Sequence, residues 1–189
     1  MDTLHIIEHF YPEDTPLLRL LLKHSTQVRD KALEILALPA NAGLKLDAET
    51  VSCGAMLHDL GVGRCRAPSI LCEGNEHYLR HGLIGGQMLR EYGERQHIDL
   101  EKYARICERH TGAGLTANEI IAQKLPLPPR DFLPETLEEK LVCLADKFFS
   151  KSGNMQEKPI GQVWTSLDKF GQDVAMRLHN LFVMFHLTI

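Results

Sequence analysis

An all-α, single-domain helical bundle is the fold class this sequence predicts, and three observations predict it. Apolar residues recur at helical spacing along nearly the whole chain, and strand signals are few. Its 189 residues, 44% hydrophobic, are enough for one sizeable core. Charged residues make up 24%, the balance of a folded globular chain rather than a disordered one. No internal repeat or low-complexity tract divides the chain, so residues 1–189 are read as one domain.

The elements follow in order. Thr15-Pro16 is an N-cap followed by a first-turn proline, and the segment from Leu17 to about Leu38 is apolar at 17, 21, 28, 32 and 35 until Pro39 closes it. Asp47 caps a second helix, DAETVSCGAMLHDL, ending at Gly61. Residues 61–75, GVGRCRAPSILCEGN, read as a long surface loop with two arginines. Glu76 to Tyr92 is a third helix, with Gly93 as its stop. Asp99 caps a fourth, DLEKYARICERH, which ends at the turn TGAG, and the short helix TANEIIAQK comes next. LPLPPRDFLP is too rigid and donor-poor for a strand and reads as an ordered extended linker. Pro134 to Ser150 forms another helix. From Ile160 to Leu187 the tail is mostly amphipathic helix, with Val163, Leu167, Phe170, Val174, Leu178, Leu181 and Phe185 on one side.

Composition excludes several function classes. Twenty-one basic and 25 acidic residues leave a net charge of −4, so no basic field exists to hold a nucleic-acid backbone. The apolar stretches fall far short of a membrane span, and MDTLHIIEHF lacks the basic start and apolar run of a signal peptide. Cys53, Cys65, Cys72, Cys107 and Cys143 form no C-x-x-C pair, which argues against a disulfide framework or cysteine zinc knot and for a reducing cytoplasm.

The chemistry lies in the ten histidines, several of which fall where a core residue belongs. His24 sits in the apolar stripe between Leu21 and Val28. His58 follows Val51, Gly54 and Ala55 at offsets of seven, four and three. His81 has Ile84 and Gly85 one turn on, and His110 ends the helix carrying Ile106 and Cys107. Asp146 lies between Val142 and Phe149. Five ionisable groups thus point inward from five helices, and Asp59 adjoins His58. A single His-Asp doublet is weak, since about half of one is expected by chance at this composition. Burying each group alone costs several kcal/mol, whereas a divalent metal removes the desolvation problem for all of them together.

The series His24, His58-Asp59, His81, His110 and Asp146, with the strings MLHDLGVGRC, HYLRHGLIGGQMLR, ICERHTGAGLT and LEEKLVCLADKF, resembles the HD-domain superfamily of metal-dependent phosphohydrolases from about residue 17 to 152. The resemblance implies that His24, His58, Asp59 and Asp146 hold a first metal, and that His81 and His110 complete a second site which Asp59 bridges. Arg109-His110 and TGAGLT replace the histidine pair and GYP motif of relatives that degrade cyclic dinucleotides. Val62 stands where some single-metal nucleotidases place a glutamate. RHTGAG is closer to the branch containing diadenosine-tetraphosphate hydrolases and many small HD proteins.

A mixed nitrogen–oxygen ligand set suits one or two ions of iron, manganese, cobalt, nickel or zinc better than magnesium. Such a metal activates water and polarises a phosphoryl oxygen, so hydrolysis of a phosphoester or phosphoanhydride of a small compound, a nucleotide among them, is the leading reaction. No nucleophile elbow or P-loop is present. The same ligands leave open a di-iron oxygenase acting on a polyol or phosphonate, and a non-catalytic metal-bound regulatory module. For the anionic substrate, Arg64 is the leading phosphate contact, since its loop must pass the mouth of the site, and Lys147 is second. Arg66, Arg80, Arg109 and His77 adjoin the same motifs, with Arg109 and His77 as further substrate contacts and His77 as an alternative ligand. His5, His9, His97, His179 and His186 read as structural or solvated. Trp164 belongs to core packing, with a homodimer contact as the alternative.

Overall fold

The Thr15-Pro16 pair opens the longest helix of the computed structural model, which describes residues 1–188. Thr15 Oγ1 accepts from the Leu18 amide and the proline takes the first helical position, so α2 runs Pro16–Leu36 behind the short α1, Thr3–Phe10. Asp47 caps α3, Ala48–Leu57. Then come α4 (His81–Gln96), α5 (Glu101–Arg109) and α6 (Ala117–Ala122). The helices end with α7 (Leu137–Asp146), α8 (Ile160–Trp164) and α9 (Gln172–Met184). Capping boxes at Thr116/Glu119 and Thr136/Glu139 start α6 and α7. The fold is all-α. Its one sheet among the described residues is a two-residue antiparallel pair, β1 (Arg66–Ala67) with β2 (Cys72–Glu73), Arg66 opposite Glu73 and Ala67 opposite Cys72.

Several expected boundaries differ, each for a local reason. α4 begins at His81 rather than Glu76, because Tyr78–Arg80 forms a 3-10 turn capped by His77. It runs through Gly93 and stops at His97, which takes the left-handed conformation at φ 57°. Gly93 serves close approach instead, since a Cβ there would lie 2.6 Å from the Ile98 carbonyl oxygen. Residues 61–75 are no plain surface loop, because Val62, Cys65, Ile70 and Cys72 are buried around the hairpin. α7 starts at its Thr136 cap and ends at Asp146, short of Ser150. The tail is not one helix. It breaks between α8 and α9 around Gly171 (φ 112°), and Phe170, expected on the apolar side, is 56% exposed.

Two apolar clusters meet in the middle. One gathers Val28, Ala32 and Ile35 of α2, Val51 and Ala55 of α3, and much of α7 and α9. The other gathers Ile6 and Ile7, Leu18 and Leu21, Leu57 and Leu60, Leu89 and Cys107. His24 lies between Leu21 of one cluster and Val28 of the other. Helices α3, α4 and α5 close to backbone contact through glycines: a Cβ on Gly82 would lie 2.3 Å from the Cys107 carbonyl oxygen, and one on Gly61 2.2 Å from that of His81. These approaches bring the ends of three helices together around one point. On the outer side Arg90 of α4 grips Glu101 and Glu108 of α5, and Arg105 ties α5 to Glu135 and Glu139. Trp164 is half-buried, stacked on His179 with centroids 3.7 Å apart and edge-on to Phe182.

Candidate metal centre

Three of the histidines are aimed by their own backbone. His58 Nδ1 donates to the Ala55 carbonyl (2.7 Å), His81 Nδ1 to that of Tyr78 (2.6 Å) and His110 Nδ1 to that of Cys107 (2.7 Å). A carbonyl only accepts, so a proton sits on Nδ1 of each ring and Nε2 faces the interior. Burial pulls His58 down, but Asp59 and Asp146 raise it to about 9, so a metal ion would take the place of its Nε2 proton. His58 and His110 close α3 and α5, where carbonyls lack helical partners, so these bonds also finish the helices. Tyr78 stacks on His81 at 4.7 Å and fixes its ring plane.

Asp59 lies between two groups of nitrogens. Its Oδ2 is 3.2 Å from His24 Nε2 and 3.1 Å from His58 Nε2, and its Oδ1 is 3.3 Å from His81 Nε2 and 3.5 Å from His110 Nε2. Asp146 Oδ1 joins the first group, 3.0 Å from His24 Nε2 and 3.6 Å from His58 Nε2. His81 and His110 Nε2 stand 3.0 Å apart. All six residues are buried. His24, His58 and Asp146 form one cluster of converging ligand atoms, and His58, Asp59 and His110 another.

This donor set fits a divalent metal. His58 Nε2 and Asp59 Oδ1 have no hydrogen-bond partner although acceptor atoms crowd them, an arrangement that suits a cation between lone pairs. The electrostatics agree. Burial pushes the Asp59 carboxyl up, but His58 and Lys151 outweigh it and hold it well below the usual carboxylate range. Asp146 is likewise held low against burial, by Lys147 and His24. Burial and the neighbouring His110 push His81 down to about 3, so it is neutral and able to ligate.

Lys147 is at the centre, its Nζ 2.7 Å from Asp146 Oδ2 and 3.1 Å from the His110 carbonyl oxygen. Sequence reasoning missed Lys151, whose Nζ reaches Asp59 Oδ2 at 2.6 Å. Burial lowers the affinity of this ammonium for its proton, but Asp59 and Asp146 raise it above the ordinary range. The available signal was a second lysine in a serine-flanked loop, SKS, just after a ligand carboxylate. Ser150, Lys151 and Ser152 line a cleft of about 330 Å³ with Tyr78 and Asp146, and this cleft opens onto the centre.

Three expected substrate contacts lie elsewhere. Arg109 turns outward, its guanidinium on the Leu133 carbonyl (2.5 Å) and Glu135 (2.8 Å); facing inward it would repel a cation at His110. His77 is exposed, and its Nδ1 accepts from the Leu79 amide to start the 3-10 turn. Arg64 is exposed and absent from the walls of the cleft.

The sequence profile of the HD domain matches residues 21–150, a span holding all six of these clustered residues. The chain belongs to the HD-domain family. Among similar proteins, the HD-domain chain is 41% identical over 126 residues to the uncharacterized protein MJ0778 of Methanocaldococcus jannaschii, covering 67% of this chain and 64% of that one. It is 36% identical over 139 residues to a tRNA (cytidine(56)-2'-O)-methyltransferase of Picrophilus torridus, covering 71% of this chain and 34% of that one. A protein of the same name from Thermoplasma volcanium is 33% identical over 162 residues, 85% of this chain and 40% of that one. The HD-domain chain thus spans less than two thirds of each of these relatives. No solved structure matches. Among the described residues no helix is long and apolar enough to cross a membrane.

Proposed function

We propose that this HD-domain protein is a metal-dependent phosphohydrolase that cleaves a phosphoester or phosphoanhydride of a small phosphorylated compound with activated water. The observation that carries this reading is the pairing of a six-ligand centre with two lysine ammoniums, Lys147 and Lys151, on its carboxylates. His24, His58, Asp59 and Asp146 would hold one divalent transition metal, and His81 and His110 a second that shares Asp59. A metal so held lowers the pKa of bound water towards neutrality and polarises a phosphoryl oxygen.

The protein's own groups supply the rest. Lys151 and Lys147 place positive charge beside the ligand carboxylates, where a substrate phosphate entering the cleft would bring its non-bridging oxygens. Ser150 and Ser152 add hydroxyls to the same wall. A protein nucleophile has little support, since burial pushes the Cys143 thiol up to about 11 and Cys107 higher still, and both donate to backbone carbonyls. The two ammoniums favour an anionic substrate over the neutral polyol of an HD-type oxygenase. Methyl transfer is not carried over from the relatives so named: the aligned segment is a minor part of each, and a net charge of −4 suits no tRNA backbone.

The test is a screen of nucleotides and small phosphate esters with manganese, iron, cobalt, nickel and zinc in turn, run in oxygen-18 water. Label on the released phosphate is the expected result. Dioxygen consumption with a polyol or phosphonate, and no phosphate release under any metal, would give the oxygenase reading instead.

A further inference from the structure

Each of the three histidines aimed by its own backbone uses the carbonyl of the third residue before it: Ala55 for His58, Cys107 for His110 and Tyr78 for His81. Alanine and cysteine do this with the backbone alone. Tyr78 adds its ring, stacked on His81 with centroids 4.7 Å apart and planes 23° apart. Neither the carbonyl bond nor the stack uses the hydroxyl, and a phenylalanine would serve both. The half-buried phenol instead forms part of the cleft wall with Ser150, Lys151 and Ser152. The Lys151 ammonium lies beside it. An ammonium only donates, so it meets the phenol oxygen as an acceptor and leaves the phenol's own proton for an acceptor entering the cleft.

We propose that Tyr78 is a substrate-binding residue, its hydroxyl donating to a non-bridging oxygen of the phosphoryl group while its ring holds His81. The inference rests on the phosphohydrolase reading and adds a residue to its site. Tyr78 begins the 3-10 turn that leads directly into α4 at His81, so one short element sets both the ligand and the hydroxyl. Its two neighbours meet the two oxygens of one carboxylate: Lys151 lies 2.6 Å from Asp59 Oδ2, and His81 Nε2 lies 3.3 Å from Asp59 Oδ1. A phosphoryl group held by Tyr78 is thereby kept beside the carboxylate that both halves of the centre share. A neutral phenol also supplies a donor there without adding a further positive charge, which the ammonium of Lys151 would repel. A hydrogen bond to the charged phosphoryl oxygen is stronger than one between neutral groups.

Tyr78→Phe keeps the stack and the carbonyl bond and removes only the hydroxyl. With manganese-loaded protein, calorimetric affinity for inorganic phosphate is measured alongside metal content and kcat/KM for the substrate found in the screen. Tyr78→Phe should hold the native metal content, weaken phosphate binding about tenfold, the equivalent of about 1.4 kcal/mol, and lower kcat/KM by a similar factor. Tyr78→Leu, which lacks the ring as well, should in addition bind metal about tenfold more weakly, so that phenylalanine restores what leucine loses. The inference is overturned if the native protein binds no phosphate, if Tyr78→Phe matches it in phosphate affinity, or if Tyr78→Phe loses metal as Tyr78→Leu does. Phosphate affinity that depends on the hydroxyl, with no phosphate compound turned over, would count against the phosphohydrolase reading alone. Turnover untouched by Tyr78→Phe would count against the role of Tyr78 alone.

Discussion

The ammonium of Lys151 stands 2.6 Å from Oδ2 of Asp59, a fully buried carboxylate that also faces four imidazole nitrogens. Asp59 thus joins both halves of the cluster to the cleft through which substrate would arrive. Removing its charge would disturb metal binding, stability and the approach of an anion at once.

Asp59→Asn should therefore lower metal affinity by more than the about 10- to 100-fold typical of losing an outer-shell partner. It leaves Lys151 buried without its counter-charge, at a cost of about 3–5 kcal/mol. Elemental analysis and thermal unfolding check both. Chelation should lower the Tm of the native chain but leave that of Asp59→Asn in place.

Lys151→Met keeps the stem and removes the charge. Its kcat/KM for the substrate found in the screen should fall about 10- to 100-fold, the scale of one charge-assisted contact of about 1.5–3 kcal/mol, with metal content retained. Arg64→Ala is the contrasting variant. From its exposed position outside the cleft wall it should change kcat/KM by less than about twofold. A large loss in Arg64→Ala with none in Lys151→Met would restore Arg64 as the phosphate contact.

The turn after Asp59 is held from outside by Tyr11, whose hydroxyl donates to the Leu60 carbonyl (2.6 Å) and accepts from the Gly63 amide (3.0 Å). Tyr11→Phe leaves both backbone groups unpartnered and should cost about 1–3 kcal/mol. Gly61→Ala drives a methyl into the His81 carbonyl and should part His81 from Asp59, at about 1–3 kcal/mol and with loss of metal. Urea unfolding and metal titration read the two effects separately.

Acid sensitivity should appear at the α4–α5 contact. The Arg90 guanidinium on Glu101 holds that carboxyl below its ordinary value of 4.5. Its stabilising effect is complete above that value and is lost as pH falls through the lowered one. Glu101 is half exposed, so the contribution is under about 1 kcal/mol. Glu101→Gln should lower the Tm at pH 7 slightly and converge with the native protein as the pH falls through that lowered value.

The residues that point inward were legible in the sequence, because helical period is a local property. His24 between Leu21 and Val28, and Asp146 between Val142 and Phe149, had to face the interior if their helices formed at all, and both are buried. Caps written in single residues, Thr15 and Asp47, set where two helices begin. What periodicity does not carry is rotation and reach at element ends. Arg109 follows the same helix as His110, yet Glu135, 26 residues away, turns it outward. Lys151 lies past the end of α7, where no period applies, and only the path of that loop brings it back to Asp59. His24 and Asp146 stand 122 positions apart in the chain and 3.0 Å apart in space. That distance, and the cleft shared by Tyr78 and Lys151, were decided by the tertiary structure, since both depend on helices packing at glycines and on the path of the loop after α7.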